Sequence, residues 1–138
     1  MKIIICTEKS NGIMFSGRRL SQDSVLRERI FELCKDSTLR MNNYSAKQFE
    51  NAAGIAVSED FLNLAAPDDF CFIENAEIPI EKADVVYLFN WNRDYPADVF
   101  FDVSQLSPDF KRSSREFFSG TSHKKITLEV YKRKNLEG

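Results

Sequence analysis

Apolar and polar positions fall into blocks whose period switches along the chain. Residues 2–6 and 70–73 are short runs dominated by apolar β-formers. Runs of that length are too short for a helix and fit strands buried on both faces. Residues 84–91 form a longer run of strong β-formers and predict a third such strand. Elsewhere the period lengthens: Val25, Leu26, Ile30, Leu33 and Cys34 recur at helical spacing, with Arg27, Glu28, Arg29 and Glu32 mostly on the other face. Ser21 or Asp23 can cap that helix, because either side chain can accept from the free amides of a first turn.

Shorter signals fill the intervals. Residues 38–42 predict a strand, and Ser45-x-x-Gln48 reads as a capping box opening a helix through about Asn51. Residues 54–57 fit either a strand or a linker. Ser58–Glu59–Asp60 starts a helix carrying Phe61, Leu62 and Leu64 and closed by Pro67. Residues 10–17, with Gly12 and Gly17, read as a loop, as do residues 92–96, and residues 100–102 as a short extended piece. The last third alternates cleanly, so residues 110–118 and 125–132 predict a hairpin whose turn is 119–122. The expected fold is a single α/β domain, residues 1–138, with a mostly parallel sheet flanked by helices and an antiparallel C-terminal hairpin. Ligands in open parallel sheets sit beyond the carboxyl ends of the strands. Glu74–Asn75, where the 70–73 run stops, is therefore expected at the mouth of a site.

Composition narrows the function classes. A hydrophobic content of 43% with twelve Phe suits a globular interior of one core. A net charge of −2 supplies no global field for nucleic acid or an anionic membrane, so neither is expected as a partner. Basic residues do cluster between Lys111 and Lys134, a pattern that fits a solvated face or the guarding of a sheet edge. No apolar run approaches the ~20 residues that span a bilayer. Cys6, Cys34 and Cys71 all lie in apolar stretches, and an odd count without a signal peptide predicts reduced, buried thiols and a cytoplasmic protein. His123 stands alone, with no metal-ligand spacing around it, so no metal is expected. Ser113–Ser114 and the serines of 119–122 have no partner His or Asp at a recognisable spacing, which leaves serine-nucleophile chemistry unsupported.

Several stretches together resemble dihydrofolate reductase, over almost the whole chain. Asn11–Gly12–Ile13–Met14–Phe15–Ser16–Gly17 is similar to the family's Asn-x-Ile-Gly-x-(Asn/Asp)-Gly loop, and Leu20–Ser21–Gln22–Asp23 to its Leu-Pro-x-Asp before a helix. Phe72–Ile73–Glu74–Asn75–Ala76–Glu77–Ile78–Pro79 stands where the family has Val-Ile-Gly-Gly-x-x-(Ile/Val)-Tyr. Ala83–Asp84–Val85–Val86–Tyr87–Leu88 resembles the following strand, Asp98–Val99–Phe100–Phe101 the Asp-Thr-x-Phe beyond it, and residues 127–133 the closing strand. The resemblance implies the family's fold, and it departs from the family at the cofactor landmarks. Glu74–Asn75 replaces the Gly-Gly that lets backbone approach a pyrophosphate at a helix N-terminus. Met14 replaces the glycine beside the nicotinamide ring, the Pro-Trp near Arg19 is missing, and the segment between Glu50 and Ser58 is shortened. The basic-plus-Thr cofactor motif is reduced to Asn42–Asn43–Tyr44–Ser45. NADPH is not expected to bind in the family's manner, and no cofactor is expected.

The resemblance makes Asp23 the catalytic candidate, the match of a carboxylate that holds a pteridine ring and helps deliver a proton; read from the chain alone it is a helix cap. Arg18 and Arg19 fit an anion or carboxylate clamp or a solvated loop. Asn11, Ser21, Asn43, Glu74 and Asn75 complete the candidate ligand-binding set. The expected role is a small-molecule-binding or regulatory protein, for a heterocyclic or anionic ligand, that has lost NADPH-dependent reduction. The alternatives are a divergent reductase of a pterin-like substrate with an altered cofactor or a flavin, and an interaction module whose basic hairpin pairs with a partner or a second copy as a homodimer.

Overall fold

The apolar N-terminal run forms β1 (Lys2–Thr7), and the computed structural model, which describes residues 1–50 and 52–136, places it inside a seven-stranded sheet. Successive side chains of a strand point to opposite faces. Ile3 and Ile5 therefore enter one apolar cluster and Ile4 the other, all three fully buried. Burial of that kind contributes about 1.5–3 kcal/mol for each side chain, which is why the run carries no polar alternation.

The remaining strands are β2 (Gly12–Phe15), β3 (Arg18–Arg19), β4 (Leu39–Met41), β5 (Ile55–Val57), β6 (Phe70–Phe72), β7 (Val85–Asn90), β8 (Val99–Phe100), β9 (Phe110–Phe118) and β10 (Ile126–Arg133). The large sheet runs β5-β4-β6-β1-β7-β10-β9. Its first five strands are parallel, and β10 and β9 close it antiparallel. A second, antiparallel sheet has the order β3-β2-β8. The helices are α1 (Ser24–Leu33), α2 (Asn43–Gln48) and α3 (Phe61–Leu64). Leu26 and Ile30 of α1 and Ala46 of α2 cover the Ile4 face, while Ile13 and Met14 of β2 and Phe61 of α3 cover the other.

Most expected elements stand within a residue or two of their observed bounds, and the mostly parallel α/β sheet with its terminal hairpin is as expected. Three local expectations are corrected. Residues 10–17, expected as loop, contain β2 and the turn that pairs it with β3 in a hairpin, because Ile13 and Met14 are buried and the left-handed Ser16 and Gly17 make a tight reversal. Asn42, not Ser45, caps α2: its side chain accepts from the Ser45 backbone N–H at 3.0 Å, which places Ser45 inside the helix. Asn51, the expected end of that helix, lies outside the described residues. Cys34 and Cys71 are buried, but Cys6 is only half-buried. Burial pushes the Cys34 thiol up to about 12 and the Cys71 thiol to about 11.

Candidate functional site

Two polar clusters lie at the carboxyl end of the parallel strands, joined by the short segment from Arg18 to Asp23. The first closes the end of β6. The Glu74 carboxylate takes both forks of the Arg19 guanidinium, with Oε2 accepting from Nε at 3.0 Å and Oε1 from Nη2 at 3.2 Å. Oε1 also accepts from Ser45 Oγ at 2.8 Å. Arg19 Nη2 donates to the Tyr44 carbonyl at 3.0 Å, and the guanidinium lies 4.5 Å over the Tyr44 ring. Tyr44 Oη in turn accepts the Arg19 backbone N–H at 2.7 Å. Burial works against the charge on Arg19, but the hydrogen bond and the charge of Glu74 outweigh it and raise its pKa. Glu74 is 9% exposed, so the turn expected at the mouth of a site is filled by its own side chain.

Asn75 is exposed and accepts from Asn42 Nδ2 at 2.7 Å. Beyond it, the next helical element is the three-residue 3₁₀ turn Ile80–Lys82. Such a turn has too few aligned peptides to present a helix dipole at the end of β6.

The second cluster surrounds Asp23, the N-cap of α1. Its Oδ1 accepts from the backbone N–H groups of Val25 (2.9 Å) and Leu26 (3.4 Å), as a cap should, and also from Thr121 N–H at 3.0 Å. Its Oδ2 accepts from Ser122 N–H (2.9 Å) and Ser122 Oγ (3.2 Å) and lies 2.9 Å from His123 Nδ1. The turn of the β9–β10 hairpin therefore wraps the carboxylate. Gly120 permits the approach, since a Cβ there would stand 2.5 Å from Oδ2. Burial of Asp23 alone would raise its pKa, but the bonds from His123, Ser122, Thr121 and Val25 outweigh it and hold the carboxyl well below the usual range.

His123 continues the chain of contacts. Its Nε2 lies 3.0 Å from Ser21 Oγ and 3.0 Å from Tyr95 Oη, and Tyr95 Oη donates to Ser21 Oγ at 3.3 Å. Trp91 stacks on the imidazole with ring centroids 4.5 Å apart. Beside these groups opens a cavity of about 450 Å³, lined by Phe15, Ser16, Arg18, Arg19, Leu20, Tyr95 and Pro96.

The structure thus brings Arg19 to Glu74, and Ser21 to Asp23 through His123. Arg18 is exposed at the cavity and forms no ion pair among the described residues. Asn11 holds a left-handed turn (φ 71°) between β1 and β2, and Asn43 is exposed, its backbone N–H donating to Glu59 at 2.8 Å; neither side chain hydrogen-bonds to these clusters. Sequence reasoning missed His123, Tyr95 and Trp91 as neighbours of Asp23. His123 and Asp23 are 100 positions apart, and no spacing rule reaches that far; the chain's single histidine was the only signal. Ser122, one of the serines expected to lack a partner His or Asp, reaches both His123 and Asp23, and Ser21, outside that set, also reaches His123.

An order of five parallel strands closed by an antiparallel hairpin defines an α/β fold of the dihydrofolate reductase type. Among solved structures, the chain is similar to the dihydrofolate reductase of Enterococcus faecalis, complexed with NADP(H) and RAB-propyl. The TM-score is 0.66 and the identity 14%, covering 96% of this chain and 95% of that one. The chain has a dihydrofolate reductase-like fold. No family model and no curated protein matches the sequence.

Proposed function

We propose that this chain is a dihydrofolate reductase-like domain that does not work as an NADPH-dependent reductase and instead binds a small heterocyclic or anionic molecule in the cavity beside Arg18. The observation that carries the reading is the ion pair between Glu74 and Arg19 at the end of β6. A dinucleotide pyrophosphate asks for bare backbone and a helix N-terminus at that turn. Here it would meet two Cβ atoms and a carboxylate, with a three-residue 3₁₀ turn in place of a helix. Drawing Arg19 away toward phosphate would strand a buried Glu74, at a cost of about 3–5 kcal/mol. The residues present do not fit the cofactor. Asp23 is no better placed to hold a ring, since Val25, Leu26, Thr121, Ser122 and His123 already take both carboxylate oxygens.

The cavity has the makings of a ligand site. Phe15, Leu20, Tyr95 and Pro96 offer apolar and aromatic surface, and Arg18 a guanidinium able to take a carboxylate on two donors. Two titrations followed by fluorescence test the reading. Pterin-6-carboxylate is expected to bind saturably, and Arg18→Ala to weaken it by about 10-fold or more, the loss of a charge-assisted hydrogen bond. NADPH is expected to give no saturable change. Micromolar NADPH binding, or no saturation by the pterin acid up to millimolar concentration, overturns it.

A further inference from the structure

The groups around His123 form a directed chain that a helix cap does not require. With Nδ1–H donating to Asp23 at 2.9 Å, Nε2 is left as an acceptor, and Ser21 Oγ stands 3.0 Å from it. Carboxylate to Nδ1, Nε2 to a serine hydroxyl, is the arrangement in which an imidazole activates an alcohol for attack on an acyl carbon. The carboxylate fixes the tautomer, and the Trp91 ring stacked on the imidazole fixes its plane. Tyr95 Oη donates to the same hydroxyl at 3.3 Å, which leaves a phenolic donor close to the carbonyl oxygen of an acyl group bonded to Oγ. Ser21 is half-buried and directly follows Leu20; both Leu20 and Tyr95 line the 450 Å³ cavity.

We propose that Ser21, His123 and Asp23 form a nucleophilic site that hydrolyses small esters whose acyl part carries a negative charge. This rests on the cavity reading above for the substrate's charge, which Arg18 would meet. In the first step the Ser21 hydroxyl oxygen bonds to the acyl carbon, its proton passes to His123 Nε2, and Tyr95 donates to the carbonyl oxygen. The carbon–alkoxy bond then breaks, and the departing alcohol takes the proton from Nε2. Water attacks the acyl-serine, giving its proton to Nε2; the serine oxygen leaves and takes that proton back, releasing a carboxylic acid. One ester and one water yield one acid and one alcohol, with no other reactant.

Diisopropyl fluorophosphate labelling read by peptide mass spectrometry, together with hydrolysis of mono-4-nitrophenyl succinate and 4-nitrophenyl acetate, tests this. The expected result is one phosphoryl adduct per chain, on Ser21, and about 100-fold slower ester hydrolysis in Ser21→Ala. Ser21→Ala is expected to keep the parent's unfolding midpoint to within a few degrees; Ser21→Cys, which keeps a nucleophile, serves as a second variant and should retain a burst of nitrophenolate. Arg18→Ala should remove the preference for succinate over acetate. No adduct, an adduct elsewhere, or Ser21→Ala hydrolysis within two-fold of the parent overturns the proposal. Pterin-acid binding without a Ser21 adduct defeats this inference alone, whereas a Ser21 adduct without such binding defeats the ligand reading and leaves the nucleophilic site standing.

Discussion

Asp23→Asn changes one oxygen to an NH₂ at nearly constant volume, in a carboxylate that is 3% exposed. Oδ1 serves the helix cap and Thr121, while Oδ2 faces Ser122 N–H and His123 Nδ1. An amide can keep one of these two sets of donors. With its oxygen kept on the helix side, the NH₂ points at the Ser122 amide, and a buried donor left without an acceptor costs about 1–3 kcal/mol. His123 can change tautomer and accept from the new NH₂, but the charge-assisted character of that contact is lost. The sum is about 2–4 kcal/mol at neutral pH.

The pH dependence sharpens the prediction. Asp23 has its folded pKa depressed, with burial opposing and the His123, Ser122 and Thr121 bonds prevailing. Its contribution is therefore complete above the unfolded value of about 3.9 and is lost as pH falls through the lower folded value. The stability gap between parent and Asp23→Asn should thus hold above pH ~5 and narrow below pH ~4. Asp69, held low against its own burial by Arg40 and Ala66, titrates in both proteins and cancels in the difference. Urea unfolding followed by Trp91 fluorescence measures the gap, since Trp91 is the chain's one tryptophan and stacks on His123. A gap under about 0.5 kcal/mol at pH 7, or one that does not change down to pH 3, refutes the reasoning.

Two further substitutions probe the same framework. Gly120→Ala puts a Cβ 2.5 Å from Asp23 Oδ2 and should lift the hairpin turn, destabilising by about 2 kcal/mol and speeding hydrogen exchange of the Thr121 and Ser122 amides; unchanged exchange would contradict it. Arg19→Ala should cost about 3–5 kcal/mol in thermal or denaturant unfolding by stranding Glu74, and adding Glu74→Gln should recover part of that loss. Equal stability of the single and double variants would mean the pair is not coupled.

What the sequence made legible follows from the range of each interaction. The unbroken run of Ile3, Ile4 and Ile5 and the helical spacing from Val25 to Leu33 are local patterns set by burial, and both elements stand where the pattern puts them. The β2–β3 hairpin was missed because glycines and a polar turn read as loop, while the burial of Ile13 and Met14 depends on a core built elsewhere. The capping box at Ser45 failed because Asn42, three residues earlier, is as good a cap, and Ser45 Oγ is held instead by Glu74 across 29 positions. The substitution at Glu74 was visible as a departure from a resemblance, but its partner was not. Arg19 finds it only once β3 is folded against β2. The site around His123 lay beyond reach for the same reason, being assembled from β3's exit, the loop after β7 and the β9–β10 turn.

One short segment holds both clusters. Arg19 anchors its start to the end of β6, and Asp23 anchors its end to the hairpin turn. Between them lie Leu20, at the cavity, and Ser21, against His123. Four residue steps span at most about 14 Å of extended chain, so the two anchors fix the position of Ser21 Oγ closely. Loosening either anchor should therefore move the hydroxyl from Nε2 before it unfolds anything else. A backbone shift of about 1 Å is enough to break a 3.0 Å contact between hydroxyl and imidazole. The ion pair that argues against a dinucleotide at β6 is then also what positions the serine for its histidine, and Arg19→Ala should slow Ser21 labelling under conditions where the chain remains folded.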